Sequence, residues 1–147
     1  AIGRNINFIQ DNESKSSKGV LRGLHYQVPP FSQSKLLKVI EGSVLDVVVD
    51  IRKSSPTFGQ HLAIELSVDN KYQLFVPKGF AHGFVVLSDV ATFTYKVDSY
   101  YAPEHERGIA FNDQNLKINW QLKPEFFKLA SKDLNHPNFA DVQDFFD

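Results

Sequence analysis

Along residues 44–52, VLDVVVDIR, the side chains sort with a period of two: Leu45, Val47, Val49 and Ile51 fall on one face of an extended chain, Asp46, Val48, Asp50 and Arg52 on the other. The same period puts Phe93, Tyr95 and Val97 on one face of ATFTYKV. Three pairs of β-rich runs are each separated by a short turn-forming segment. These segments are Glu41-Gly42-Ser43 within KLLKVIEGSVLDVVVDIR, Val68-Asp69-Asn70-Lys71 between HLAIELS and YQLFVP, and Ser88-Asp89-Val90 between GFVVLS and ATFTYKV. Each reads as a β-hairpin. Short strands at regular spacing from residue 18 to about 112 predict an all-β sandwich or barrel. Only the tail from Pro124 has helical character, and it is short and interrupted by Pro137. With no repeat, low-complexity tract or linker, residues 1–147 read as one domain.

Residues 19–27, GVLRGLHYQ, form a strand with two misplaced polar groups. Arg22 and His25 sit among residues suited to burial, and their odd separation points them to opposite faces of a regular strand. For both to serve one site the strand must bulge between them, and Gly23 is the residue best able to allow it. The mixed face of VLDVVVDIR suits a ligand-holding barrel interior and equally an ordinary surface.

Composition narrows the classes. The 147 residues are 42% hydrophobic and 22% charged, enough for one real core, and 16 basic against 17 acidic residues leave a formal charge of −1. Such a balance gives no electrostatic footprint for nucleic acid or an anionic membrane, so an anionic ligand has to be held by local groups. No apolar run approaches the ~18 residues that span a bilayer, and no signal-like segment opens the chain. Without cysteine there is no disulfide framework or thiolate site, and cytoplasm is the default location. The chain starts at Ala1 and contains no methionine, as expected of a processed chain or a piece of a longer polypeptide.

The segment VPKGFAHGF carries the spacing Pro77-x-Gly79-x-x-His82, with Pro and Gly setting a tight connection and His82 following on the incoming strand. This spacing resembles the second motif of the cupins, small β-barrels whose histidines often hold a metal. A metal cupin also needs an H-x-H pair, and none of the five histidines has that spacing: His25, His61, His105 and His136 each stand alone. Metal binding is therefore a minority reading.

What remains is a cupin-like barrel with titratable groups. GVLRGLHYQ, Gln33-x-Lys35, VVVDIRKSSPTFGQ, VPKGFAHGF, FTYKVDSYYAPEHERGI and SKD, in that order from about Phe8 to Asp133, resemble the dTDP-4-dehydrorhamnose 3,5-epimerase family. No one motif is specific by itself; the ordered series is. The resemblance implies a cupin-like antiparallel β-barrel or jelly roll, a homodimer, and a dTDP-4-keto-6-deoxyhexose substrate processed without metal or cofactor. It implies His25 as base with Asp133 as its partner, Lys35 and Arg22 near the sugar, and Tyr95 as proton donor. Gln10, Asp11, Asn12, His82, Glu106 and Lys132 fall on its ligand-binding positions, and Tyr101 on the residue that stacks on thymine. The family also has an N-terminal segment, with an arginine and a glutamate that help bind substrate, which lies ahead of Ala1.

This division of labour suits the chemistry. Inverting a carbon beside a ketone requires a base, a positive partner for the enolate oxygen, and an acid on the opposite face. Histidine titrates near neutrality and gains from a carboxylate on its other ring nitrogen; fixed positive charge at the enolate is worth about 3 kcal/mol; tyrosine, with a pKa of about 10, is a usable acid toward a strongly basic carbon. By residue type alone, His25 is more readily a core histidine than a base, Tyr95 is equally a core aromatic, Gln10, Asp11 and Asn12 read as a polar turn, and Glu106 and Lys132 as solvated surface. Asp46 is a further candidate on the mixed face without an assigned role. Competing readings are a relative that inverts one centre or isomerises the keto group, a non-catalytic nucleotide-sugar-binding cupin, and a metal-dependent cupin oxygenase.

Overall fold

The computed structural model describes residue 3 and residues 5–147. Ten strands follow in order: β1 (Gln10–Ser17), β2 (Val20–Gln27), β3 (Lys35–Glu41), β4 (Ser43–Asp50), β5 (His61–Ser67), β6 (Gln73–Val76), β7 (Phe80–Val86), β8 (Val90–Val97), β9 (Glu106–Gly108) and β10 (Lys128–Leu129). They form a four-stranded sheet in the order β1-β8-β3-β6 and a six-stranded sheet in the order β10-β2-β7-β4-β5, with β9 on the remaining part of β2. All pairings are antiparallel except β10 with β2. The cupin-like jelly roll expected from the motifs is the fold observed.

The three expected hairpins are not hairpins. At each of the three turns the chain reverses where its turn residues say it should, but the next strand joins the opposite sheet. Thus β3 pairs with β6 and β8 while β4 pairs with β5 and β7, and the steps from β5 to β6 and from β7 to β8 likewise cross between sheets. Turn chemistry sets where the backbone folds back; it does not set whether the returning strand lies beside its predecessor or across the core from it. That choice depends on burial. Strand β4 is buried on both faces along Val44–Asp50 and takes a central place between β5 and β7.

The two faces of β4 feed two separate cores, as its alternation anticipates. Val44 and Val48 pack between the sheets with Leu37, Val76, Phe84 and Phe93. Leu45, Val47, Val49 and Ile51 face outward and are covered by the C-terminal part of the chain through Ile109, Leu116 and Trp120, with Phe127, Phe139 and Phe146 packed around them. The tail is a covering strap rather than a helix: it holds three short 3-10 turns, Pro124–Phe126, Ser131–Leu134 and Phe139–Asp141. Its prolines and its scattered aromatic anchors favour an irregular path that drops side chains onto the sheet one at a time.

A buried carboxylate fixes the long connection from β4 to β5. Asp50, 2% exposed, accepts hydrogen bonds from Arg52 Nε (2.9 Å) and Nη2 (2.7 Å), Ser55 Oγ (2.6 Å) and Thr57 Oγ1 (2.6 Å). Arg52 in turn lies 4.7 Å from the centre of the Phe80 ring. The hydrogen bonds from Arg52 outweigh the opposing effect of burial and, with Ser55 and Thr57, hold the Asp50 carboxyl well below the ordinary carboxylate range. A depressed folded-state pKa stabilises the fold fully above the unfolded value of about 3.9, and the stabilisation is lost as pH falls through the folded value. Asp50→Asn is therefore expected to cost about 2 kcal/mol at pH 7. The gap from the parent, measured by urea unfolding, should be narrower at pH 3.

Candidate active site

The polar groups of β2 reach one cavity because the strand is irregular. Arg22 pairs with Phe84 of β7 and His25 with His82, so three steps along β2 match two along β7. Gly23, between them, has φ 131°, and the Gly23–Leu24 peptide bond is cis. A Cβ at Gly23 would lie 2.6 Å from Gly83 Cα and 3.0 Å from the His82 carbonyl oxygen, so only glycine fits this close approach. The extra residue lets Arg22 and His25 line the same cavity while Leu24 is buried in the outer core. The irregularity expected at Gly23 is present.

That cavity, about 320 Å³, lies between the sheets and has the size of a small-molecule site. Its two walls carry different chemistry. His25 and His82 project from the six-stranded sheet; Tyr95, Lys35, Gln10 and Asn12 project from the four-stranded sheet opposite. Glu106 comes from β9 beside β2, and Tyr101, Lys132 and Asp133 from the connections. Of the residues the resemblance implies at the site, only Asp11 lies elsewhere. On β1 the odd and even positions face opposite ways, and Asp11 turns outward to an exposed ion pair with Lys96 Nζ at 2.7 Å, while Gln10 and Asn12 turn inward and hydrogen-bond each other at 2.8 Å. The three are part of a strand, not a turn.

His25 is the most elaborately held group. Its Nε2 is hydrogen-bonded to Asp133 Oδ1, which leaves Nδ1 as the ring nitrogen able to take a proton. Nδ1 stands 4.0 Å from Glu106 Oε1, and Glu106 is itself paired with Lys132 Nζ at 3.2 Å and accepts from the Tyr101 hydroxyl at 3.0 Å. Asp133 is 1% exposed. Burial alone would raise its carboxyl, but hydrogen bonds from His136 and His25 hold it well below the ordinary carboxylate range, so it is a fixed negative charge behind the imidazole.

On the facing wall, burial raises the Tyr95 hydroxyl above its ordinary value, opposed by the positive charge of Arg22. It stays protonated at neutral pH and can donate. Its ring stacks on Phe93 with centroids 5.7 Å apart and planes at 27°. Burial lowers the Lys35 ammonium, an effect opposed by the negative charges of Asp46 and Glu106.

Three arrangements were not read from the residue pattern. Asp46 gains a partner, the His82 imidazole, with Nε2 2.9 Å from Oδ1 in a buried pair; the residues are 36 positions apart and meet only because β4 and β7 are neighbours. His136, which the pattern left as an isolated residue before a proline, brings Nε2 to 3.2 Å from Asp133 Oδ1. The Asp133-x-x-His136 spacing is the one signal that pointed to it, since three residues bring side chains back to one side of a tight turn. His25, Asp133 and His136 place two imidazoles and a carboxylate with donor atoms within 4.8 Å of one another, a set suited to a divalent ion. Here each imidazole Nε2 is directed at the carboxylate oxygen instead. Gln27, also unforeseen, is a buried clamp: its amide donates to the carbonyls of Phe31 (2.7 Å) and Tyr100 (3.1 Å) and accepts from the Ala102 N–H (2.8 Å), tying the rim loops to β2.

Comparison with known proteins agrees with this geometry. A family model described as dTDP-4-dehydrorhamnose 3,5-epimerase matches residues 1–141. The chain is 52% identical to the dTDP-4-dehydrorhamnose 3,5-epimerase of Shigella flexneri over 145 residues, 99% of this chain and 79% of that one. It is 51% identical to the enzyme of that name from Pseudomonas aeruginosa, again over 99% of this chain and 79% of the other. Among solved structures, a dTDP-6-deoxy-D-glucose-3,5-epimerase from Legionella pneumophila, in complex with dTDP-4-keto-L-rhamnose, superposes with a TM-score of 0.92 at 49% identity, covering 97% of this chain and 74% of that one. With the ordered motifs, the jelly roll and the matches all in agreement, the chain belongs to the dTDP-4-dehydrorhamnose 3,5-epimerase family.

Proposed function

We propose that the chain inverts C3 and C5 of dTDP-4-dehydro-6-deoxy-D-glucose to give dTDP-4-dehydro-L-rhamnose, in dTDP-L-rhamnose biosynthesis. The observation that carries this reading is the placement of a carboxylate-backed imidazole and a protonated tyrosine on opposite walls of one cavity. Inversion needs a proton taken from one face of the carbon and another delivered to the opposite face. His25 removes the proton α to the C4 ketone through Nδ1, and Asp133 stabilises the imidazolium that forms. The electrons move into the carbonyl, and Lys35, with Arg22 nearby, supplies positive charge to the enolate oxygen. Tyr95 then returns a proton to the carbon from the other side. Gln10, Asn12, His82, Tyr101, Glu106 and Lys132 are proposed to hold the nucleotide and diphosphate portion. The ring of Tyr101, 57% exposed at the rim, is available for stacking.

Homodimeric assembly, a single domain and a cytoplasmic location, all expected from the sequence, belong to the same proposal. No helix among the described residues is long and apolar enough to cross a membrane. Incubation with the 4-keto sugar in deuterium oxide, followed by NMR, tests the reaction: label is expected at both C3 and C5. Label at one carbon alone would make the chain a single-centre epimerase, and no label would make it a binder.

A further inference from the structure

We propose that His136 is a positioning residue that holds Asp133 in line with His25, a role that rests on the epimerase reading of the cavity. The Asp133 carboxylate is buried, yet its hydrogen bonds are few. Oδ1 accepts from both His25 Nε2 and His136 Nε2, while Oδ2 is buried and has no hydrogen-bond partner among the described residues. The direction of the carboxylate therefore depends on two imidazole N–H groups. One belongs to the base, whose charge changes during each proton transfer. The other, on His136, is the contact that stays constant.

His136 is fixed on several sides. Its ring meets the His25 ring edge-on, with centroids 5.3 Å apart and planes at 79°. It also lies against Gly108, where any Cβ would overlap its Cε1 and Nδ1 atoms. Gly108 is the β9 residue that pairs with His25 itself, so the absence of a side chain there makes the space through which His136 reaches the site. Just beyond, the Pro137 carbonyl accepts the Ala110 N–H at 2.8 Å, and within the turn Asn135 Nδ2 donates to the Ser131 carbonyl at 2.8 Å. The residues on both sides of His136 are thus tied down, Pro137 by its backbone and Asn135 by its side chain. The line of support runs from β9 through His136 and Asp133 to His25.

Two replacements separate this role from simple packing. His136→Leu fills the space of the ring without a donor, and His136→Gln keeps an N–H donor without an imidazole. With both variants folded as judged by circular dichroism, His136→Leu is expected to lower kcat about 10- to 100-fold, the penalty of a misaimed catalytic group. KM should stay within about twofold, and His136→Gln should recover kcat to within about threefold of the parent. Unchanged kcat in His136→Leu, a loss confined to KM, or a His136→Gln variant no better than His136→Leu would each overturn the proposal. A second measurement needs no variant: in the parent protein labelled with 15N-histidine, long-range 1H–15N spectra should give His136 a proton on Nε2, and an Nδ1–H tautomer would refute the contact. Failure of the epimerase reading would instead appear as absent turnover in the parent, which none of these outcomes requires.

Discussion

His25→Ala is expected to lower kcat by about 10³- to 10⁴-fold, the contribution of a well-placed general base. KM should change little, because the groups assigned to the nucleotide, on β1, β7, β9 and the rim, are side chains other than His25. The same variant should lose solvent deuterium exchange at both C3 and C5. Exchange that persisted at one carbon would assign that centre to another base. His82 is the obvious one, as it pairs directly with His25 across β2 and β7 and has its own buried carboxylate partner in Asp46. The experiment thus reads out more than a loss of rate. It tests whether a single imidazole serves both centres.

Tyr95→Phe has the second-largest expected effect, a fall in epimerisation of about 10²- to 10³-fold. The substitution removes only the hydroxyl. The ring keeps its stacking on Phe93, so the fold should be retained. Proton abstraction by His25 remains possible, and the enolate can be reprotonated from the face it came from. Deuterium should therefore enter the sugar faster than the product of inversion accumulates, and a variant in which exchange and inversion fall in step would remove Tyr95 from the acid role. Burial raises the Tyr95 hydroxyl, so its ionisation should not limit activity below about pH 10.

The site was legible where chemistry is carried by local order and obscure where it depends on contact across the fold. Arg22, Gly23 and His25 were legible together because side-chain direction in a strand obeys a period of two. A violation of that period needs a bulge, and a glycine in the middle is where a bulge costs least. Gln10, Asn12, Lys35, His82 and Tyr95 reach the cavity for the same periodic reason. Asp11 fails by it: a residue between two inward-facing neighbours on a strand points outward, and treating Gln10 to Asn12 as a unit overlooked that alternation. The Asp46–His82 pair and the His136–Asp133 contact could not be read from spacing in the chain, apart from the three-residue interval in the second.

The three mistaken hairpins carry the same lesson at the scale of the fold. Alternation, turn residues and the ordered motifs by themselves determined that the chain is a strand-rich barrel, where it reverses, and which faces of β4 and β8 are apolar. Those are properties of a few neighbouring residues, set by backbone sterics and side-chain direction. Only the tertiary structure decided that each reversal crosses from one sheet to the other, that the C-terminal strap brings Asp133 and His136 behind His25, and that His25 and Tyr95 stand on facing walls. Those arrangements depend on how apolar area is best buried between layers, a sum over the whole molecule that no local pattern contains.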